Sequence, residues 1–144
     1  MIERISERTW RETIPADDVS MRRAREFVTA VIETRGEPVN EDIILLTSEA
    51  VTNSYLHADT ATVSVQVTLS DTVARVAVHD DDPEPPVVRS TPGDETGGFG
   101  MRLIEALAQD WGVIDVLNDG KIVWFEVELP EHTPGSTTPV APAA

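Results

Sequence analysis

Apolar residues return along the chain in two rhythms, one that suits helices and one that suits strands. Thr9 to Ile14 alternates loosely as far as Pro15, which predicts a first strand at a sheet edge, where proline's missing donor is tolerated. Met21, Ala24, Phe27, Val28, Val31 and Ile32 then recur at helical spacing. Asp17 or Asp18 can cap that helix, and Gly36 stops it. A second helix is predicted from near Asn40 to near His57. Glu41 and Asp42 suit its electropositive start, and Ile43, Leu46, Thr47, Ala50, Val51 and Ser54 form its packed side.

Strand periodicity takes over next. Val63, Val65, Val67 and Leu69 alternate with Thr62, Ser64, Gln66 and Thr68, and Ser70-Asp71 turns the chain into Thr72 to Asp80. There Ala74, Val76 and Val78 share one face, and Asp80 has their parity. From Asp81 to Gly97 the chain is rich in Pro, Asp, Glu and Gly and has no period, which marks a functional or mobile loop. A third helix is predicted from Gly100 to Trp111, burying Leu103, Ile104, Leu107 and Ala108. Gly112 to Val116 reads as a strand, Asn118-Asp119-Gly120 as a hairpin turn and Lys121 to Leu129 as a closing strand. The order β-α-α-β-β-loop-α-β-β implies an α/β (α+β) two-layer sandwich, with a mixed, mostly antiparallel sheet and three main helices on one face. Residues 1–8 read as an N-terminal extension, 9–130 as one domain and 131–144 as a disordered tail rich in Pro, Thr and Ala.

Composition narrows the function classes. The 144 residues hold 11 Lys and Arg against 26 Asp and Glu, a net charge of −15, which argues against direct nucleic-acid binding. With no cysteine there is no disulfide framework and no thiolate ligand or nucleophile. No apolar run is long enough to span a bilayer and no signal segment opens the chain, so the cytoplasm is the expected compartment and no membrane partner is expected. In so acidic a protein, anionic phosphates would need a metal ion and backbone N–H groups more than side-chain cations.

Three clusters carry candidate chemistry. Glu49, Asn53 and His57 are spaced four apart, which places them on one side of a helix with successive Cβ atoms roughly 5–6 Å apart. An Asn offers a neutral oxygen to Mg²⁺ and a Glu can orient or deprotonate a nucleophile; a solvated polar stripe is the alternative reading. Asp80, at the end of an inward-facing apolar strand, needs donors that an exocyclic amine would supply, unless it is an ordinary turn acid. Gly97-Gly98-Phe99-Gly100-Met101 leads into a helix whose free N–H groups can meet phosphate, though no Lys-Ser/Thr follows as in a P-loop. Arg89, Arg102 and Lys121 read as solvated surface cations, Trp111 and Trp124 as core or interface packing, and His79 as an outward strand residue.

The order of these clusters resembles that of the GHKL ATPase superfamily, which includes gyrase, chaperone, histidine kinase and mismatch-repair ATPases. Glu49-Ala50-Val51-Thr52-Asn53-Ser54-Tyr55-Leu56-His57-Ala58 is similar to its N-box, followed by a strand-end Asp, a variable loop and Gly98-Phe99-Gly100-Met101. Leu107 to Val113 and Lys121 to Phe125 resemble the anti-sigma-factor serine kinases and their stand-alone actinobacterial relatives. The resemblance implies a Bergerat ATP-binding fold with ATP and Mg²⁺ as cofactors. By it, Asn53 would coordinate Mg²⁺, Glu49 would be the catalytic acid/base and Asp80 would contact the adenine amino group. Gly98, Phe99, Gly100 and Met101 would border the nucleotide, His57 matches a frequent family position, and residues 81–97 would be the ATP lid. The sequence departs from the pattern at Asp82 and Glu84, where glycines are common, and at Phe99, where a basic residue is common. The implied function is that of a regulatory protein-serine kinase whose partners are a sigma factor and an anti-sigma-factor antagonist. The alternative is a non-catalytic, nucleotide-responsive binding module. A detached ATPase domain of a larger machine ranks third, because no transducer domain or phosphoacceptor helix is evident. A homodimer is expected by analogy.

Overall fold

A computed structural model of the protein describes residues 2–36, 39–57, 62–80, 99–116 and 120–129. Among these residues, six strands and three helices occur in the order β1 (Ile2–Ser6), β2 (Thr9–Pro15), α1 (Ser20–Glu33), α2 (Glu41–His57), β3 (Thr62–Leu69), β4 (Val73–Asp80), α3 (Phe99–Leu107), β5 (Asp110–Asp115) and β6 (Lys121–Glu128). The strands form one sheet in the order β1-β2-β3-β4-β6-β5. Every described pairing is antiparallel, so the expected mixture of directions resolves to one.

The helices cover one face of this sheet. Val63, Val65 and Val67 of β3, Ala74, Val76 and Val78 of β4, and Val123, Phe125 and Val127 of β6 are buried beneath them. They meet Ala24, Phe27, Val28, Val31 and Ile32 of α1 and Ile43, Leu46, Ala50 and Val51 of α2, the residues that the helical periodicity selects. Fully burying a side chain of this kind contributes about 1.5–3 kcal/mol, so this two-layer interface is the main source of stability.

Four local details differ from the sequence reading. Ile2–Ser6, expected within an extension, pairs with β2 and takes the sheet edge, leaving β2 internal. All five residues of β1 are exposed, so this strand has no apolar face that periodicity can register. Neither Asp17 nor Asp18 caps α1: Asp17 instead accepts from the Val19 N–H and the Ser20 N–H and hydroxyl, forming the turn that leads into it. The third helix ends at Leu107, and Trp111 belongs to β5, opposite Phe125. Ile104 is fully buried but Leu107 is exposed, as expected for a shorter helix with a narrower apolar stripe.

The predicted helix stop at Gly36 and the Ser70-Asp71 turn hold, and of the predicted β5–β6 turn Gly120 is described. Gly36 has φ 83° just beyond α1, a left-handed conformation that glycine adopts without a Cβ clash. Ser70 closes the β3–β4 turn, its N–H donating to the Val73 carbonyl at 2.8 Å. Gly120 has φ 97°, and its carbonyl accepts from the Val116 N–H to close the β5–β6 turn. The expected lid (81–97) and tail (131–144) lie outside the described residues, as do Arg89, Asn118 and Asp119.

Candidate functional site

Asp80 follows Ala74, Val76 and Val78 in facing the helix layer at the end of β4, and it is only 1% exposed. A carboxylate this deep requires hydrogen-bond donors. Two of them come from elements on either side. The Ser54 hydroxyl of α2 donates to Oδ2 at 3.1 Å, and Lys121 Nζ of β6 donates to Oδ1 at 3.0 Å.

Lys121 corrects the surface role assigned to it. It is the cross-strand neighbour of Asp80, and its side chain is 8% exposed. A signal for this was present in the sequence: position 121 has the parity of Val123, Phe125 and Val127, all of which face the core. Cation and carboxylate compensate one another where either alone would be unstable.

Asn53 lies on α2, one residue before Ser54, and is buried. Its Nδ2 is enclosed and has no hydrogen-bond partner among the described residues. Such an orphaned donor costs about 1–3 kcal/mol, a penalty that a ligand oxygen would remove. Glu49, one helical turn earlier, is half-buried rather than fully solvated. The positions around them (Leu46, Thr47, Ala50, Val51 and Ser54) are all buried, so the polar pair interrupts a packed side of the helix. A solvated stripe does not describe this placement.

The remaining predicted residues fall into two groups. Phe99, Gly100 and Met101 form the first turn of α3, where backbone N–H groups lack intrahelical acceptors. This helix packs against α2, so the glycine-led helix and the helix bearing Glu49 and Asn53 are neighbours. His57 ends α2, and its side chain, like those of Phe99 and Met101, lies outside the described set. Gly98 lies outside the described residues altogether.

No group of three or more His, Cys, Asp or Glu residues that could hold a metal ion occurs among the described residues.

Trp124 and His79 lie on the other face of the sheet. Arg75 stacks 4.1 Å from the Trp124 ring centroid and pairs with Glu126 at 2.9 Å. A groove of about 580 Å³ runs there past Gln66, Ile122 and Trp124, separated from Asp80 by the sheet itself.

A buried strand-end Asp, a helix-borne Glu/Asn pair and a neighbouring glycine-led helix are the features that the sequence reading assigns to a nucleotide site. The histidine kinase-like ATPase domain family matches residues 14–127, and the chain belongs to that family. Membership implies that the nucleotide is ATP. No curated protein matches the sequence. Among solved structures, the histidine kinase domain of the Erythrobacter litoralis EL346 blue-light activated histidine kinase is similar, at 26% identity and a TM-score of 0.46. The match covers 79% of this chain and 61% of that one, so the chain spans about three fifths of the related structure. No described helix is long and apolar enough to cross a membrane.

Proposed function

We propose that the protein is an ATP-dependent regulator: an anti-sigma factor and protein-serine kinase that phosphorylates an anti-sigma-factor antagonist. The observation that best supports nucleotide binding is Asp80, buried yet ionically held, with the Asn53 Nδ2 on the adjoining helix lacking a partner among the described residues. Asp80 accepts a hydrogen bond from the adenine amino group. The Asn53 amide meets the phosphates, with its oxygen available to Mg²⁺, whose charge would offset the triphosphate in this acidic protein. Glu49 takes the proton of the attacking serine hydroxyl as the γ-phosphoryl group moves to that oxygen, its bond to the β-phosphate breaks and ADP leaves. Pairing of two copies is part of the same proposal and is tested by light scattering.

Asp82, Glu84 and Phe99 favour a second reading, since the first two add acids within four residues of the strand-end Asp in sequence and Phe99 stands where relatives often carry a basic residue. In that reading the protein is a non-catalytic module whose choice of partner responds to ATP. Incubating it with labelled ATP, Mg²⁺ and antagonist candidates separates the two. The kinase reading predicts phosphoserine on the antagonist, lost in Glu49→Ala while ATP affinity is retained. Transfer that survives Glu49→Ala removes that residue from the chemistry. ATP-dependent partner capture without phosphoserine supports the module.

A further inference from the structure

α2 contains the run Ile43-Ile44-Leu45-Leu46, and four successive residues fan out over most of a helical turn, so they cannot all face the sheet. Ile43 and Leu46 are fully buried, Ile44 is half-buried and Leu45 is 40% exposed. The outer face of the helix layer therefore keeps apolar surface that the core does not use. Beside it, α1 and α2 enclose a groove of about 470 Å³ whose lining includes Arg22, Arg25, Glu26, Ala30, Glu33 and Ile44.

The charges along this groove are ordered. Arg22, Glu26, Thr29 and Glu33 follow one another at steps of three or four residues, which makes them one stripe along α1. Arg22 stands near the start of the helix and Glu33 at its end, about 16 Å further on at the helical rise. Arg22, Glu26 and Glu33 are exposed, and none of them makes an ion pair with a described residue. Arg25, half-buried beside the stripe, donates to the Ser48 hydroxyl of α2 at 3.3 Å. Arg22 and Arg25 balance Glu26 and Glu33, so the groove is neutral in a chain whose net charge is −15. Two copies of so acidic a protein repel each other, least where the facing surfaces are neutral.

We propose that this face of α1 and α2 is where two copies of the chain pair, α1 against α1 in antiparallel register about a two-fold axis between Phe27 and Val28. This deepens the pairing of two copies put forward above and rests on it. In that register Arg22 faces the second copy's Glu33, and Glu33 faces the second copy's Arg22, so opposite charges meet at both ends. Glu26 meets Thr29 and Arg25 meets Ala30, and the short Thr29 and Ala30 let the two helices approach closely. The contact also covers Ile44 and Leu45. Because each residue of such an interface is used twice, one substitution changes both halves.

The test is sedimentation equilibrium of wild type, Arg22→Glu, Glu33→Arg, an equal mixture of these two variants, and the double variant, each checked for folding by thermal melting. Wild type should dimerise. Each single change sets like charges together at both ends and should raise the dimer dissociation constant by at least about tenfold. In the mixture each chain supplies the charge that the other lacks, so a heterodimer should form with an affinity near that of wild type. The double variant exchanges the two charges and should dimerise again. Leu45→Gln should weaken pairing, whereas Ile114→Lys, at an exposed position on the opposite face of the sheet, should leave it unchanged. Dimerisation unaltered in both single variants, or weakened without recovery on mixing, would overturn the inference. Loss of the dimer in Ile114→Lys but not in Arg22→Glu would also overturn it, by placing the contact on the open face of the sheet. Wild type that stays monomeric at every concentration would refute the pairing on which the inference rests, a result distinct from these.

Discussion

Gly112 lies in β5 directly opposite Trp124 of β6, and the indole packs onto its backbone. A Cβ at this position would stand 2.8 Å from Trp124 Nε1 and 2.9 Å from Cε2 and Cζ2. Real Cβ atoms essentially never approach so closely, and the neighbour here is a rigid ring rather than a flexible tip. Gly36 and Gly120 are the positive-φ glycines among the described residues, so at Gly112 the requirement is space, not conformation. The ring also resists displacement, because Arg75 stacks on it and is itself tied to Glu126. Two effects oppose each other in Gly112→Ala. Restricting the unfolded chain stabilises by about 0.4–1 kcal/mol, whereas overpacking costs about 1–3 kcal/mol. Trp124 is only half-buried and yields partly, so the clash wins by about 1 kcal/mol. That corresponds to a melting temperature lower by about 3 °C for a domain of this size. Circular dichroism melts of Gly112→Ala and of the same change in a Trp124→Leu background measure this directly. In the second background the penalty should vanish. A Gly112→Ala variant that melts at or above wild type would refute the packing argument, as would an equal cost in both backgrounds.

Further outcomes follow from the core and the site. The Thr47 hydroxyl is buried with no partner among the described residues, so Thr47→Val should raise stability by about 1 kcal/mol in urea titration. Lys121→Met removes the cation that faces the buried Asp80 and should cost about 3–5 kcal/mol, while Asp80→Asn combined with Lys121→Met should cost clearly less than the sum of the single changes in the same titration. Glu49→Ala should slow phosphotransfer by at least about 100-fold in a labelled-ATP assay while calorimetric ATP affinity stays within about twofold.

Much of the fold could be read from the sequence because one face of each principal element is buried. The alternation of Val63, Val65 and Val67 and the helical recurrence from Met21 to Ile32 both report a single covered side, which gives the two-layer arrangement directly. β1 gave no such signal, since an exposed edge strand has no inward face. The boundary between α3 and β5 was misplaced because Leu107, Ala108 and Trp111 continue a helical spacing that the sheet overrides by pairing Trp111 with Phe125. Asp80 was legible by parity with its strand, and Asn53 and Glu49 by their spacing within a packed helix. Lys121 was not, because residue type suggested solvent while position pointed inward. The parity of the strand is the better guide there, since a buried lysine is tolerated where a well-placed carboxylate faces it.

The most direct measurement is calorimetric titration of ATP with Mg²⁺ into wild type, Asn53→Ala and Asp80→Asn, with folding of each verified by its melt. Binding in the micromolar range to wild type, weakened by about tenfold or more in each variant, is the predicted result. No binding to well-folded wild type, or undiminished binding to both variants, would contradict a nucleotide site built on these two residues.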